Sequence, residues 1–102
     1  MIKIKNNNEV FNDLLDNDLV LVDMFATWCG PCRMMSQIIE ELDKIIDIKI
    51  IKVDVDLNIP LAQTYNVSSI PTLLLFKNKK LISKKIGYME LEDLKKWIIE
   101  NK

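Results

Sequence analysis

The stretch Leu19-Val20-Leu21-Val22-Asp23-Met24-Phe25-Ala26 is apolar at odd and even positions alike, Asp23 excepted. A strand with one wet face alternates apolar and polar residues, so a run apolar on both parities implies a strand covered on both sides, as at the centre of a mainly parallel sheet. The next residues fit that placement. Beyond Trp28-Cys29-Gly30-Pro31-Cys32, the residues Met35, Ile38, Ile39, Leu42, Ile45 and Ile46 recur at helical spacing on one stripe, with Glu40, Glu41, Asp43 and Lys44 opposite. Pro31 suits the first turn of such a helix. A buried strand therefore runs into an amphipathic helix through the turn that carries both cysteines.

The remaining elements are read from the same patterns. Residues 2 to 5 alternate as a short strand, and Asn7 is placed to cap a helix whose Val10, Phe11, Leu14 and Leu15 share a face and which ends near Asn17. A strand is expected from Lys49 to Asp54 and a short helix from about Pro60 to Tyr65. Ile70-Pro71 leads into a strand from Thr72 to Phe76, and Asn78-Lys79 turns it into a hairpin with Leu81 to Ile86. A last helix directs Leu91, Leu94, Trp97, Ile98 and Ile99 inward and places Glu92 and Asp93 in its positively polarised first turn. The order βαβαβαββα predicts an α/β fold, a central mixed sheet flanked by helices on both faces, with its last two strands as an antiparallel edge. With no repeat and no linker, residues 1–102 read as a single domain. Ligands of such sheets meet the carboxyl ends of the strands, where the Cys29 to Cys32 segment falls.

Composition removes several function classes. Lys and Arg number 14 against 15 Asp and Glu, a net charge of −1, so no positive field invites nucleic acid. The cluster Lys77, Lys79, Lys80, Lys84 and Lys85 reads instead as solvated protection of an edge strand. No apolar run approaches the roughly 18 residues of a spanning helix, and the polar opening lacks a signal peptide's apolar core, which predicts a cytoplasmic protein without membrane association. Histidine is absent. Acid or base work near neutral pH must then fall to a perturbed carboxylate, thiol or amine.

The two cysteines lie three residues apart. As a structural staple they would close so short a loop that the stabilisation is only about 2 kcal/mol. A tetrahedral zinc site would need a second cysteine pair or histidines, and the chain has neither. Two thiolates can hold copper(I) unaided, which leaves a soft-metal carrier open. The redox reading explains more: Cys29 stands at a helix start, where free N–H groups and the macrodipole favour thiolate over thiol, and Cys32, one turn on, can displace whatever Cys29 captures. Gly30 and Pro31 shape the turn and carry no cation that would make the pair more oxidising, which argues for a reductant.

The segment Val22-Asp23-Met24-Phe25-Ala26-Thr27-Trp28-Cys29-Gly30-Pro31-Cys32, with Ile70-Pro71-Thr72 downstream, resembles the thioredoxin family. The similarity extends to Lys52-Val53-Asp54-Val55-Asp56, Thr72-Leu73-Leu74-Leu75-Phe76-Lys77-Asn78 and Gly87, essentially the whole chain. The resemblance implies a thioredoxin fold and a general protein disulfide reductase, monomeric and with no bound cofactor. Its oxidised client proteins would be its substrates, and an NADPH-dependent flavoprotein, thioredoxin reductase, would recharge its Cys29–Cys32 disulfide. In this likeness Cys29 is the attacking thiolate and Cys32 the resolving thiol. Asp23 matches the family's buried acid and Lys52 the lysine near it, although a lysine on a strand's polar parity is usually just solvated. Trp28, Gly30, Pro31, Ile70, Pro71 and Gly87 would form the substrate-binding surface, with the Ile70-Pro71 bond cis against the prevailing statistics.

Three departures stand out. Gln37 replaces a helix-kinking proline, which predicts a straighter helix, Lys79 replaces a turn glycine, and Met24-Phe25 replaces a Phe-Trp pair. The alternative class is a thioredoxin-like binding subunit whose partners recognise the surface around Trp28 and Pro71 without redox turnover.

Overall fold

The computed structural model describes residues 1–102. In chain order the elements are β1 (Ile2–Ile4), α1 (Phe11–Leu14), β2 (Val20–Phe25), α2 (Gly30–Ile45), β3 (Lys49–Asp54), α3 (Ile59–Thr64), β4 (Thr72–Lys77), β5 (Lys80–Ile86) and α4 (Leu91–Glu100). The strands form one sheet in the spatial order β1-β3-β2-β4-β5. β1, β3 and β2 are parallel, β4 is antiparallel to both β2 and β5, and β2 is central.

Side-chain alternation explains the doubly apolar run of β2. Leu21 joins Ile50, Leu73 and Leu75 beneath α2 and α4, against Met35, Ile39, Leu42, Leu94, Trp97 and Ile98. Val20, Val22 and Met24 point the other way with Ile51, Val53, Leu74 and Phe76, against Phe11, Leu15 and Ala62. There Phe11, Tyr65 and Phe76 meet edge to face, with centroids 5.3 to 5.9 Å apart. Each fully buried side chain of this size contributes roughly 1.5–3 kcal/mol, so both ends of the turn joining β2 to α2 are fixed by packing.

Several expectations need correction. Asn7 does not cap α1; the cap position is Val10, and the helix is a single turn. The asparagines instead bond locally: Asn8 N–H donates to Asn6 Oδ1, and Glu9 Oε1 accepts from Asn6 N–H. Such side chains offer the backbone an alternative to helix, which delays α1 until the buried Phe11. Val10 is exposed. Ile45 and Ile99 are also exposed, because each lies at the last turn of its helix and a neighbour, Ile46 or Ile98, takes the inward place. Lys52 is half-buried rather than simply solvated.

The hairpin turn matches the sequence reading, with Asn78 at φ 53° and Lys79 at φ 65°. Lys79 occupies a left-handed conformation that a glycine would take without strain, at a cost of about 1 kcal/mol. α2 runs unbroken through Ser36 and Gln37. At the far edge, Lys5 at the end of β1 is buried, and its ammonium donates to Asn58 Oδ1 at 2.6 Å and to Asn6 O at 2.9 Å. Asn58 in turn donates to Asp54 O, so its side chain joins β1 to the end of β3 instead of capping α3.

Candidate active site

β2 ends at Phe25, and the chain needs only a short turn to reach α2. Cys29 is the N-cap of that helix, with extended backbone (φ −90°, ψ 114°), and its Sγ accepts the N–H of Cys32 at 3.2 Å. A cap normally offers oxygen to one of the first free N–H groups; here sulfur takes that place. Pro31 enters the first turn without wasting a donor. The two cysteines form a disulfide with Cα atoms 5.2 Å apart, and both are largely buried beside Ala26, Phe25, Val55 and Ile70.

The loop before β4 closes over this turn. Ile70 O lies 3.9 Å from Cys29 Sγ, and the Ile70-Pro71 peptide is cis, as the resemblance implies. Pro71 is buried, and its carbonyl accepts the N–H of Gly87 at 2.8 Å, where Gly87 has φ 93°. Gly87 thus comes to the site because β5 returns along β4. Trp28 is 68% exposed, with its indole N–H donating to Asp56 Oδ2 at 2.8 Å. Asp56 sits in the turn after β3, and its own N–H donates to Asp54 Oδ1.

Asp23 lies behind this surface on the α2 face of β2, fully buried, and neither carboxyl oxygen has a hydrogen-bond partner. Burial raises its pKa from 3.8 to about 7, with Lys52 pulling the other way. Asp23 and Lys52 are register partners on adjacent strands. The lysine ammonium is not paired with the carboxylate, however: it donates to Ser36 Oγ and lies 5.0 Å from the centre of the Phe25 ring.

Every candidate residue named from the sequence therefore falls at or behind the carboxyl end of β2, with Lys52 linked to it through α2. Two residues escaped sequence reasoning. Ser36 could have been found as the polar residue four positions beyond Cys32, and Asp56 as the acid two places beyond Asp54. None of the four main clefts is lined by Cys29 or Cys32. A cleft of about 420 Å³ lies toward the amino ends of β2 and β3, lined by Asp16, Asp18, Asp47 and Lys49 and by neither cysteine. Nowhere do three Cys, Asp or Glu side chains gather to hold a metal ion. No helix is long and apolar enough to cross a membrane.

The thioredoxin family model matches residues 2–100. A thioredoxin of Chlamydia trachomatis is 42% identical over 93 residues, covering 90% of this chain and 91% of the relative, and one of Rickettsia prowazekii is 38% identical over 101 residues, covering 96% of each. Among solved structures, a mutant thioredoxin from Halobacterium salinarum superposes with a TM-score of 0.87 at 36% identity, covering 97% of this chain and 88% of its own. The reduced thioredoxin pre-protein of Schistosoma mansoni gives 0.86 at 31% identity, covering 97% and 96%. Sequence and architecture agree along almost the whole length, and the paired cysteines stand where the fold presents them: the chain belongs to the thioredoxin family, as a thiol-disulfide oxidoreductase that reduces protein disulfides.

Proposed function

We propose that Cys29 attacks and Cys32 resolves. The observation that supports this order is the bond from Cys32 N–H to Cys29 Sγ at the helix start, which stabilises negative charge on one sulfur of the pair and not on the other. With the pair reduced, Cys29 Sγ attacks one sulfur of a client disulfide; that S–S bond breaks, the distal client sulfur leaves as a thiolate and takes a proton from water, and a mixed disulfide remains. Cys32 then loses its proton to the ionised Asp23 carboxylate and attacks Cys29 Sγ. The client's second sulfur leaves reduced, and Cys29–Cys32 becomes a disulfide.

Asp23 suits that proton because its carboxyl changes charge at about pH 7 instead of near 3.8. Lys52 moderates it through space. The client segment rests on Trp28, Gly30, Pro31, Ile70, Pro71 and Gly87, with the backbone of Ile70 pairing to it in extended form.

Two electrons from an NADPH-dependent flavoprotein reductase restore the dithiol, a role that the family likeness supports. The protein works as a cytoplasmic monomer of one domain, residues 1–102, with neither nucleic acid nor membrane as a partner. Single substitutions test the order of attack. Cys29→Ser abolishes reduction of a disulfide-bonded protein, and Cys32→Ser accumulates a covalent adduct with it; full activity in either variant contradicts the scheme.

A further inference from the structure

Ser36 stands one helical turn beyond Cys32, and its hydroxyl oxygen accepts the hydrogen bond from Lys52 Nζ that joins α2 to β3. The same ammonium lies 5.0 Å from the centre of the Phe25 ring, within cation–π range. Lys52 and Asp23 are neighbours in the sheet, yet neither salt bridge of the protein involves them, and both Asp23 oxygens lack a partner. A flexible, half-buried ammonium is divided between a buried carboxylate and water, so the group that anchors it decides what the carboxylate experiences.

We propose that Ser36 is a positioning residue of the exchange centre: its hydroxyl fixes the Lys52 ammonium between α2 and the Phe25 ring, close enough to act on Asp23 through space and too far to close an ion pair. The inference rests on the proton role given to Asp23 above. Lys52, the register partner of Asp23 on β3, is the charged group that acts on it; Leu73, its partner on β4, is apolar, and the side chains that α2 and α4 bury on this side of the sheet, among them Met35, Ile39, Leu94 and Ile98, carry no charge. Asp23 therefore answers to one cation. An ion pair would hold the carboxyl ionised through neutrality, and a lysine released to water would leave it to burial alone.

Without the hydroxyl, the half-buried ammonium gains hydration and its mean distance from Asp23 grows. Carbon-13 NMR of the Asp23 carboxyl in the oxidised protein reads the outcome. Ser36→Ala raises the titration midpoint by about 0.5, Ser36→Thr keeps it, and Ser36→Ala adds nothing in a Lys52→Met background. An unchanged midpoint, a lowered one, or a rise of equal size without Lys52 overturns the proposal. The titration follows Asp23 itself, whereas the release rate of the mixed disulfide in Asp23→Asn decides separately whether Asp23 serves the exchange.

Discussion

Asp23 and Asp56 stand near the same cysteine pair and are used in opposite ways. Asp56 is exposed, hydrated, and bonded to the Trp28 indole, so its charge costs little and its role is geometric. Asp23 is sealed beneath α2 with no donor at either oxygen, so its charge is costly and its proton is retained to about pH 7. A carboxylate with a partner in water positions a neighbour; one without a partner in the core stores a proton.

The largest expected effect comes from removing Asp23's charge. The native state keeps this proton up to about pH 7, whereas the unfolded chain loses it near 3.8, so the folded protein binds more protons between those values and stability falls as pH rises across the window. Urea unfolding of the oxidised protein and of Asp23→Asn, from about pH 3 to about pH 8, should show the variant gaining about 4 kcal/mol relative to the parent. Parallel curves would show that Asp23 titrates as it does in the unfolded chain. Asp56→Ala is smaller, costing about 1 kcal/mol and raising KM for a protein disulfide more than it lowers kcat. A change in stability as large as that at Asp23 would erase the contrast between the two acids. Trp28→Phe keeps an aromatic ring but loses the N–H together with part of the indole surface; at this exposed position the expected cost by urea unfolding is about 0.5 kcal/mol or less, and a larger loss would make the indole structural.

Much of the fold is legible in the residue order alone. β2 and α2 are readable because their apolar residues keep the periods of a doubly covered strand and a one-sided helix, and the cysteine turn is defined by its local order. Asp23 stands out as the one acid in an apolar run. The illegible parts depend on contacts between distant segments or on local competition. Nothing in the spacing of Ser36 and Lys52 says that they meet, since a lysine in a strand satisfies the solvated reading equally well. The tryptophan's bond to Asp56 spans 28 positions. Asn7 fails as a cap because three adjacent asparagines can bond to nearby backbone in more than one way, and Phe11 determines where the helix begins. The cis geometry at Ile70-Pro71 is implied by the family resemblance, against the statistics of proline alone.

The central claim is that the fold holds one of two adjacent sulfurs ready to attack. Partial alkylation of the fully reduced protein with iodoacetamide across pH, read by peptide mass spectrometry, tests it most directly. Label confined to Cys29, with a rate inflection well below the roughly 8.5 of a free cysteine, is the expected result. Equal labelling of Cys32, or an inflection at or above that value, would contradict it.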